Sequence, residues 1–510
     1  IDQLSSEQIK RVEVVKNPGA RYDASVKAVI RIITKKAAGE GFGFNNRFVT
    51  RHRRTYGWTT LDQFNFNYRK GGFDLSGTLF GGKFRSGNNQ QLGMITYLDK
   101  LWEQEIDARD GKNTESNVQG VLSLNYQFNE KHSMGVRYDM DKYFNTISDW
   151  RFKTNVYTDK ELYETNVSTM LGEYPSTKHS LNYYYNGQIG DWNIDFNADG
   201  LWNIKEETQH TREVTNGDTE ANVNTFNKND GTLYATKLVV SYPLWQGSLS
   251  FGGEYSHTDR SNIYINQEGI LADDDSRIKE GSTGAFIDYS RSFGKVDVQA
   301  GIRYENVNFD YYEQGKHIDE QSRMFNNVFP SLNMNFPIGK AQVQLSYSGG
   351  ITRPSYDMLR SNTYYSNKYT YQTGNPFLKP VINQDINLSA SYKWINFSFI
   401  YNHIKDDIIQ ISEPYSDTNP TISLLNIINA KSYNNIISSV TLSPTISWWN
   451  PQFMAQVYKQ WFHIDGKDGE LTLSKPRMTL VWRNSFTLPA GFLFDIDGTY
   501  YTKGHIQNMY

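Results

Sequence analysis

From about Gly41 onward, apolar and polar residues alternate with a period of two. Leu122, Leu124, Tyr126 and Phe128 alternate with Ser123, Asn125 and Gln127. Trp192, Ile194 and Phe196 alternate with Asn193, Asp195 and Asn197. Leu332, Met334 and Phe336 alternate with Asn333 and Asn335, and Val343, Leu345 and Tyr347 with Gln342, Gln344 and Ser346. The run Ile386, Leu388, Ala390, Tyr392, Trp394 is interleaved with Asn387, Ser389, Ser391 and Lys393. Successive side chains on a strand point to opposite faces, so each run predicts a strand with one apolar and one hydrophilic face. Strand starts are predicted near residues 42, 57, 72, 114, 132, 177, 191, 231, 247, 281, 295, 322, 340, 383, 396, 432, 450, 472 and 490, nineteen in all.

The connections alternate in length. Tight turns are predicted at Arg69–Gly72, Asn129–His132, Gly190-Asp191, Pro243–Gly247, Phe293–Lys295, Pro337–Lys340, Trp448–Asn450 and Pro489–Gly491. Between them fall long polar stretches, at roughly 83–113, 146–176, 206–230, 260–280, 310–321, 351–382 and 411–431. Tight turns at one end and long loops at the other are the arrangement of an outer-membrane barrel. Lipid offers the backbone no hydrogen-bond partner, so a sheet can cross it only as a ring. The expected fold class is therefore all-β, a large antiparallel transmembrane β-barrel. Plugged bacterial barrels have about 22 strands, which predicts three more after Tyr510. The stretch 83–113 also has room for a further hairpin.

Residues 1–38 differ. A polar stretch of helix formers, Ser6 to Lys10, precedes two β-rich runs, Val12–Val15 and Val29–Thr34, with a turn signal at Asn17-Pro18-Gly19. This is an α+β piece too short to fold alone. A lumen ringed by nineteen or more strands would leak unless something filled it. The division expected is thus 1–38, the C-terminal part of a plug domain, and 39–510, the barrel, incomplete at its C-terminus.

Composition changes this picture only in part. Of 510 residues, 38% are hydrophobic, and the mean hydropathy is -0.64. No window holds 18 consecutive apolar residues, so no transmembrane helix is expected. A barrel wall gives no such signal, because only alternate residues meet lipid. The 35 Tyr and 11 Trp suit a membrane–water interface, with an apolar body and a polar tip. A Tyr-rich soluble sandwich or propeller has the same composition. There is no Cys, which excludes disulfides, thiolate metal sites and a Cys nucleophile. A formal net charge of -3 gives no long-range attraction to nucleic acid. No signal peptide is visible, and Ile1 opens as if in mid-structure.

Little in the sequence points to covalent chemistry. Asp273-Asp274-Asp275 reads as a solvated acidic loop rather than a calcium site. The nine His are scattered and make no HExxH or close ligand pair, so no metal or other cofactor is expected. Gly39, Gly41 and Gly43 precede no helix pattern and are not a phosphate loop. Arg51-His52-Arg53-Arg54 falls where the first outer loop should be, and could pair with anionic lipopolysaccharide or be ordinary exposed charge.

Two blocks carry a family resemblance. The first is Arg11-Val12-Glu13-Val14, the Pro18-Gly19-Ala20 turn, Arg21-Tyr22-Asp23 and the closing Ile30-Arg31-Ile32-Ile33-Thr34-Lys35-Lys36. It resembles the end of the plug in TonB-dependent outer-membrane receptors. The second is Arg353-Pro354-Ser355-Tyr356 with Gly374-Asn375-Pro376. It resembles the Bacteroidetes-type outer membrane beta-barrel branch of these receptors. One departure is Ser25-Val26-Lys27-Ala28, where the family often has glycines before the closing strand.

The resemblance implies a non-enzymatic importer in the bacterial outer membrane. It would take up a scarce solute, such as a siderophore, cobalamin, glycan or peptide, through a plugged barrel. Its partners would be membrane lipid and lipopolysaccharide, the solute, TonB through a segment upstream of Ile1, and in some members a surface lipoprotein. It assigns a plug–barrel latch to Arg11 and Glu13. In the 351–382 loop, Arg353, Pro354, Tyr356, Tyr364, Tyr365, Tyr369, Tyr371, Gly374, Asn375 and Pro376 are candidate ligand contacts. A loop that packs on itself over the plug is the alternative for those residues. For the whole chain, the alternative is a barrel that does not import and serves as adhesin, signal receptor or structural shell.

Overall fold

The computed structural model describes residues 9–16, 19–34, 39–97, 100–466 and 469–509. The helix formers expected from Ser6 and the Asn17-Pro18 part of the first turn lie mostly outside these residues.

One antiparallel sheet curls into a ring-shaped wall. Its strands are Gly41–Arg53, Gly57–Lys70, Phe73–Tyr97, Leu101–Asn129, His132–Thr158, Glu161–Glu173 continued by Ser176–Ile189, Trp192–Thr215, Thr219–Leu244, Gly247–Asn266, Asp274–Phe293, Val296–Glu313, Arg323–Ile338, Ala341–Thr352, Val381–Tyr392, Ile395–Lys405, Tyr433–Leu442, Trp449–Gly466, Arg477–Thr487 and Leu493–Tyr501. These are the nineteen wall strands the alternation predicts. The strand split at Pro175 counts once, because both halves pair with the same two neighbours. The end strands, Gly41–Arg53 and Leu493–Tyr501, meet in the ring order. Both are exposed along nearly their whole length, and among the described residues no register pairs one with the other.

The tight turns fall where predicted, but five of the seven expected loops do not. The stretches 83–113, 146–176, 206–230, 260–280 and 411–431 are mostly strand. The stretch 83–113 holds no extra hairpin. Its two halves pair with each other, from Lys83↔Ser116 to Tyr97↔Leu101, with one register shift between Asn88 and Gln90. Leu101–Asn129 has 29 residues, about 95 Å of strand at ~3.3 Å per residue, where a bilayer needs ~9–11 residues. The excess stands in water. There neither face must be apolar, so the period-two signal fades while the backbone ladder continues.

Within the membrane span the usual burial pattern is inverted. Ile287 and Ile302 are 47% and 48% exposed, while their neighbours Asp288 and Arg303 are 5% and 1% exposed. Outward Leu238, Val328, Leu345 and Ile386 continue the apolar band. In water such a band would forgo roughly 25 cal/mol per Å² of its apolar area. In hydrocarbon it is at home. At the tight-turn end, exposed Trp192, Trp245, Trp394 and Trp448 make the aromatic belt of a membrane interface.

Two further sheets complete the fold. Ile9–Lys16 and Ala28–Thr34 form an N-terminal hairpin. At the far end, Thr363–Asn367, Thr370–Thr373, Asn419–Asn429 and Ile408–Ser416 build a four-stranded cap. Thr370–Thr373 and Asn419–Asn429 pair in parallel. The cap joins two stretches, 351–382 and 411–431, that the sequence presents as separate loops.

Candidate functional site

The segment between the hairpin strands enters the ring and rests on inward-facing wall groups. Gly19 has φ +86°, and a Cβ there would meet Gln299 Nε2 at 2.5 Å and Asp288 Oδ2 at 2.9 Å. Only glycine satisfies both the left-handed backbone and the close approach. The backbone N–H of Ala20 donates to Asp288 Oδ2 at 3.4 Å. That of Ala24 donates to Glu305 Oε1 at 3.1 Å. The Ala24 carbonyl accepts from Ile351 N at 3.1 Å. The turn expected to need glycine is made without it. Asp23 Oδ1 accepts from Ser25 N at 2.9 Å, and Val26 N donates to Asp23 O at 2.9 Å, so a side chain closes the bend.

Asp23 then meets a charged cluster. Arg353 Nη1 lies 3.3 Å from Asp23 Oδ1, and Arg303 Nη2 lies 3.8 Å from Asp23 Oδ2. Arg353 also pairs with Glu305, and Arg303 with Glu254. Arg303 Nε donates to Glu305 Oε1 at 2.5 Å, and Lys237 Nζ is 3.2 Å from Glu254 Oε2. Three carboxylates, Asp23, Glu254 and Glu305, therefore face three cations, Lys237, Arg303 and Arg353. The carboxylate oxygens of that trio lie within 4.8 Å of one another, a spacing that could hold a metal ion. The guanidinium groups already supply the positive charge there, so the cluster is an ion-pair network. Burial pushes the Asp23 carboxyl upward, but Arg353, the two Ser25 hydrogen bonds and Arg303 outweigh it and leave it below its ordinary value. Arg303 and Glu305 are each 1% exposed. Removing one member of such a buried network costs about 3–5 kcal/mol, because the other charges lose their partners.

The two sequence blocks thus converge, Arg21-Tyr22-Asp23 from the N-terminal segment and Arg353 from the end of the wall strand Ala341–Thr352. Arg11 and Glu13 do not join them. They pair with each other at 2.6 Å on the exposed hairpin. Pro354 follows Arg353 where the chain leaves Ala341–Thr352. Tyr356 donates to Glu280 Oε1 at 3.3 Å, and its hydroxyl is pushed up to about 12, by burial first and by Glu280 second.

The other candidate tyrosines belong to the cap. Tyr364 packs edge-on against Tyr264 and accepts from Arg360. Tyr365 donates to Glu213 at 2.8 Å. Tyr365, Tyr369 and Tyr371 are all buried, and Tyr371 stacks edge-on with Tyr415. Gly374-Asn375-Pro376 pins the cap down. A Cβ on Gly374 would meet Arg360 O at 2.5 Å. Asn375 donates from N to Met358 O at 2.6 Å and from Nδ2 to Ile427 O at 2.9 Å. Pro376 O accepts from Arg323. The acidic run is also structural: Asp274 is buried and accepts from Asn262 and Ser276.

Lys237, Glu254, Arg303 and Glu305 escape a reading of the sequence. The available signal was charge at inward positions of strands whose outward neighbours are apolar, as in Ile302-Arg303-Tyr304-Glu305.

A model of the outer membrane protein beta-barrel family matches residues 186–510. A search of curated proteins found no match. Solved structures with a similar fold include the hemophore receptor HasR of Serratia marcescens, in complex with its hemophore HasA and heme. It is 10% identical, with 97% of this chain and 81% of that chain covered and a TM-score of 0.57. The outer membrane transporter YddB of Escherichia coli is 12% identical over 97% of this chain and 73% of its own, with a TM-score of 0.54. The FrpB iron transporter of Neisseria meningitidis (F3-3 variant) is 12% identical over 96% and 75%, with a TM-score of 0.53. At these identities the likeness is one of fold.

Proposed function

The chain belongs to the outer membrane protein beta-barrel family, and from that premise we propose that it is an energised importer of a scarce solute. In this reading residues 1–38 end a plug domain, and the barrel is the conduit. TonB engages the protein from the periplasmic side and pulls the plug. The imported class is that of the resemblance: siderophore, cobalamin, glycan or peptide. No covalent step is involved. The work is binding, gating and release.

One observation carries the reading. The segment Gly19–Lys27 is held inside the wall by ion pairs centred on Asp23, Arg303 and Arg353 and by backbone hydrogen bonds from Ala20 and Ala24 to wall carboxylates. A plug that must leave and return needs such a seat. Ion pairs are directional, and water can solvate them as they part. An apolar seat of equal strength would expose greasy surface whenever the plug moved. The latch role that the resemblance gave to Arg11 and Glu13 is better assigned to Asp23, Arg303, Arg353, Glu254 and Glu305.

Vancomycin entry tests the gate in cells producing the full-length protein. Asp23→Asn should raise vancomycin sensitivity above that of wild type at equal surface level. Sensitivity equal to wild type would reject the gate. Loss of TonB should abolish solute-dependent growth, and growth that persists would favour a barrel that does not import.

A further inference from the structure

A cavity lies beyond the ionic seat, between the outer ends of wall strands and the cap. Its volume is about 920 Å³, within the ~300–1,000 Å³ of small-ligand sites. Its lining includes Trp102, Tyr163, Glu164 and Thr219 of the wall strands and Lys368 and Tyr369 of the cap, and Trp102 packs on Tyr369. The Trp102 and Tyr163 rings are 5.3 Å apart. Tyr163 is 61% exposed and offers an uncovered ring, whereas Trp102 is only 9% exposed. The Trp102 indole N–H is buried without a hydrogen-bond partner among the described residues.

The charges narrow the ligand class. Lys368 Nζ is already 3.0 Å from Glu164. Glu213, also on the lining, accepts from Tyr365 at 2.8 Å and from Lys368 N at 3.3 Å. The cavity's lysines, Lys100 and Lys368, are matched by these two glutamates. A multiply anionic chelate would find no surplus positive charge to replace its water. A wholly apolar ligand would strip water from the lining's threonines and from the Lys368–Glu164 pair and return no hydrogen bond in its place. A neutral saccharide answers both demands. Its C–H face stacks on an aromatic ring, and its hydroxyls donate to carboxylates and accept from N–H.

We propose that this outer cleft binds a neutral oligosaccharide, with one sugar face on Tyr163. The proposal rests on the importer reading and names its solute class.

The test is calorimetry on the full-length protein in a sugar-free detergent. The probes are a panel of neutral hexaoses (α- and β-linked glucans, xylan and mannan) and a ferric tris-catechol complex. At least one hexaose should bind. Tyr163→Ala should weaken it at least tenfold, and Tyr163→Phe, which keeps the ring, should restore it. Tyr163 is exposed, so neither change threatens folding, whereas Trp102→Ala would disturb its packing with Val156 and Tyr369. No binding across the panel, binding unchanged by Tyr163→Ala, or a ferric complex that binds in place of the hexaoses would each overturn the site. Hexaose binding alongside unaltered vancomycin entry in Asp23→Asn would keep the site and reject the gate; the reverse pair would reject the site alone.

Discussion

The ionic seat and the cap solve different problems with different chemistry. The seat holds a segment that arrives from elsewhere in the chain, and it does so with charges fixed on neighbouring wall strands. The cap joins two loops into one body, and it does so with tyrosines packed edge to edge around Leu271, Val223 and Leu424. Dispersion and apolar burial, little affected by pH or salt, work in the cap beside the Tyr365–Glu213 and Lys368–Glu164 contacts. The seat depends on charge. In this comparison the cap is built to stay and the seat is built to let go. A single stretch, Arg353 to Tyr371, touches both: Arg353 meets Asp23, and Tyr371 lies in the cap core. A ligand held at the cap therefore has a short covalent route to the seat.

The largest predicted effect breaks the seat. Arg303→Met should leave Asp23, Glu254 and Glu305 short of a cation. About 3–5 kcal/mol of docking is then lost. Hydrogen exchange of the peptide covering residues 19–27 should accelerate by more than a hundredfold, while the cap peptide 363–373 keeps its protection. In the cap, Tyr365→Phe removes one of the two donors to buried Glu213. The cost should be about 1–3 kcal/mol, read as faster exchange at 363–373 with 19–27 unaffected. Gly19→Ala imposes a side chain on a left-handed residue, at about 1–2 kcal/mol. It should loosen 19–27 alone. Arg11→Ala removes an exposed pair and should change docking by no more than about 1 kcal/mol.

Acid sharpens the same contrast. The docked Asp23 carboxyl lies below its ordinary value, which is near 3.9 in an unfolded chain. Its contribution is therefore complete above that value and is lost as the pH falls through the lower docked value. Protection at 19–27 should be flat from pH 8 to about pH 5 and should decline below about pH 4. In Asp23→Asn that decline should shrink, and the cap should show none tied to this residue.

Legibility follows the same physics. In the lipid-facing band one face must be apolar and the other hydrophilic, so strands such as Val296–Glu313 and Val381–Tyr392 are written plainly in the alternation. Above the membrane both faces of residues 83–97 meet water, the pattern has nothing to report, and a strand reads as a loop. The tight turns were legible because Gly190, Gly294 and Gly339 sit at positive φ. The cap was not, because its parallel pairing of Thr370–Thr373 with Asn419–Asn429 joins segments far apart in the chain. In the site, the resemblance brought forward Arg353 and the Arg21-Tyr22-Asp23 block, yet placed the latch on Arg11 and Glu13. The right partners are charges on three wall strands, and their meeting is a property of register rather than of any local motif.

The most direct measurement is a double-mutant cycle on Asp23 and Arg353, with hydrogen exchange of residues 19–27 as the readout. Asp23→Asn and Arg353→Gln should each speed exchange, and the double variant should be less affected than the sum, with a coupling of about 1.5–3 kcal/mol. Strictly additive effects would mean that the two side chains do not hold each other, and that the seat is not what keeps this segment inside the wall.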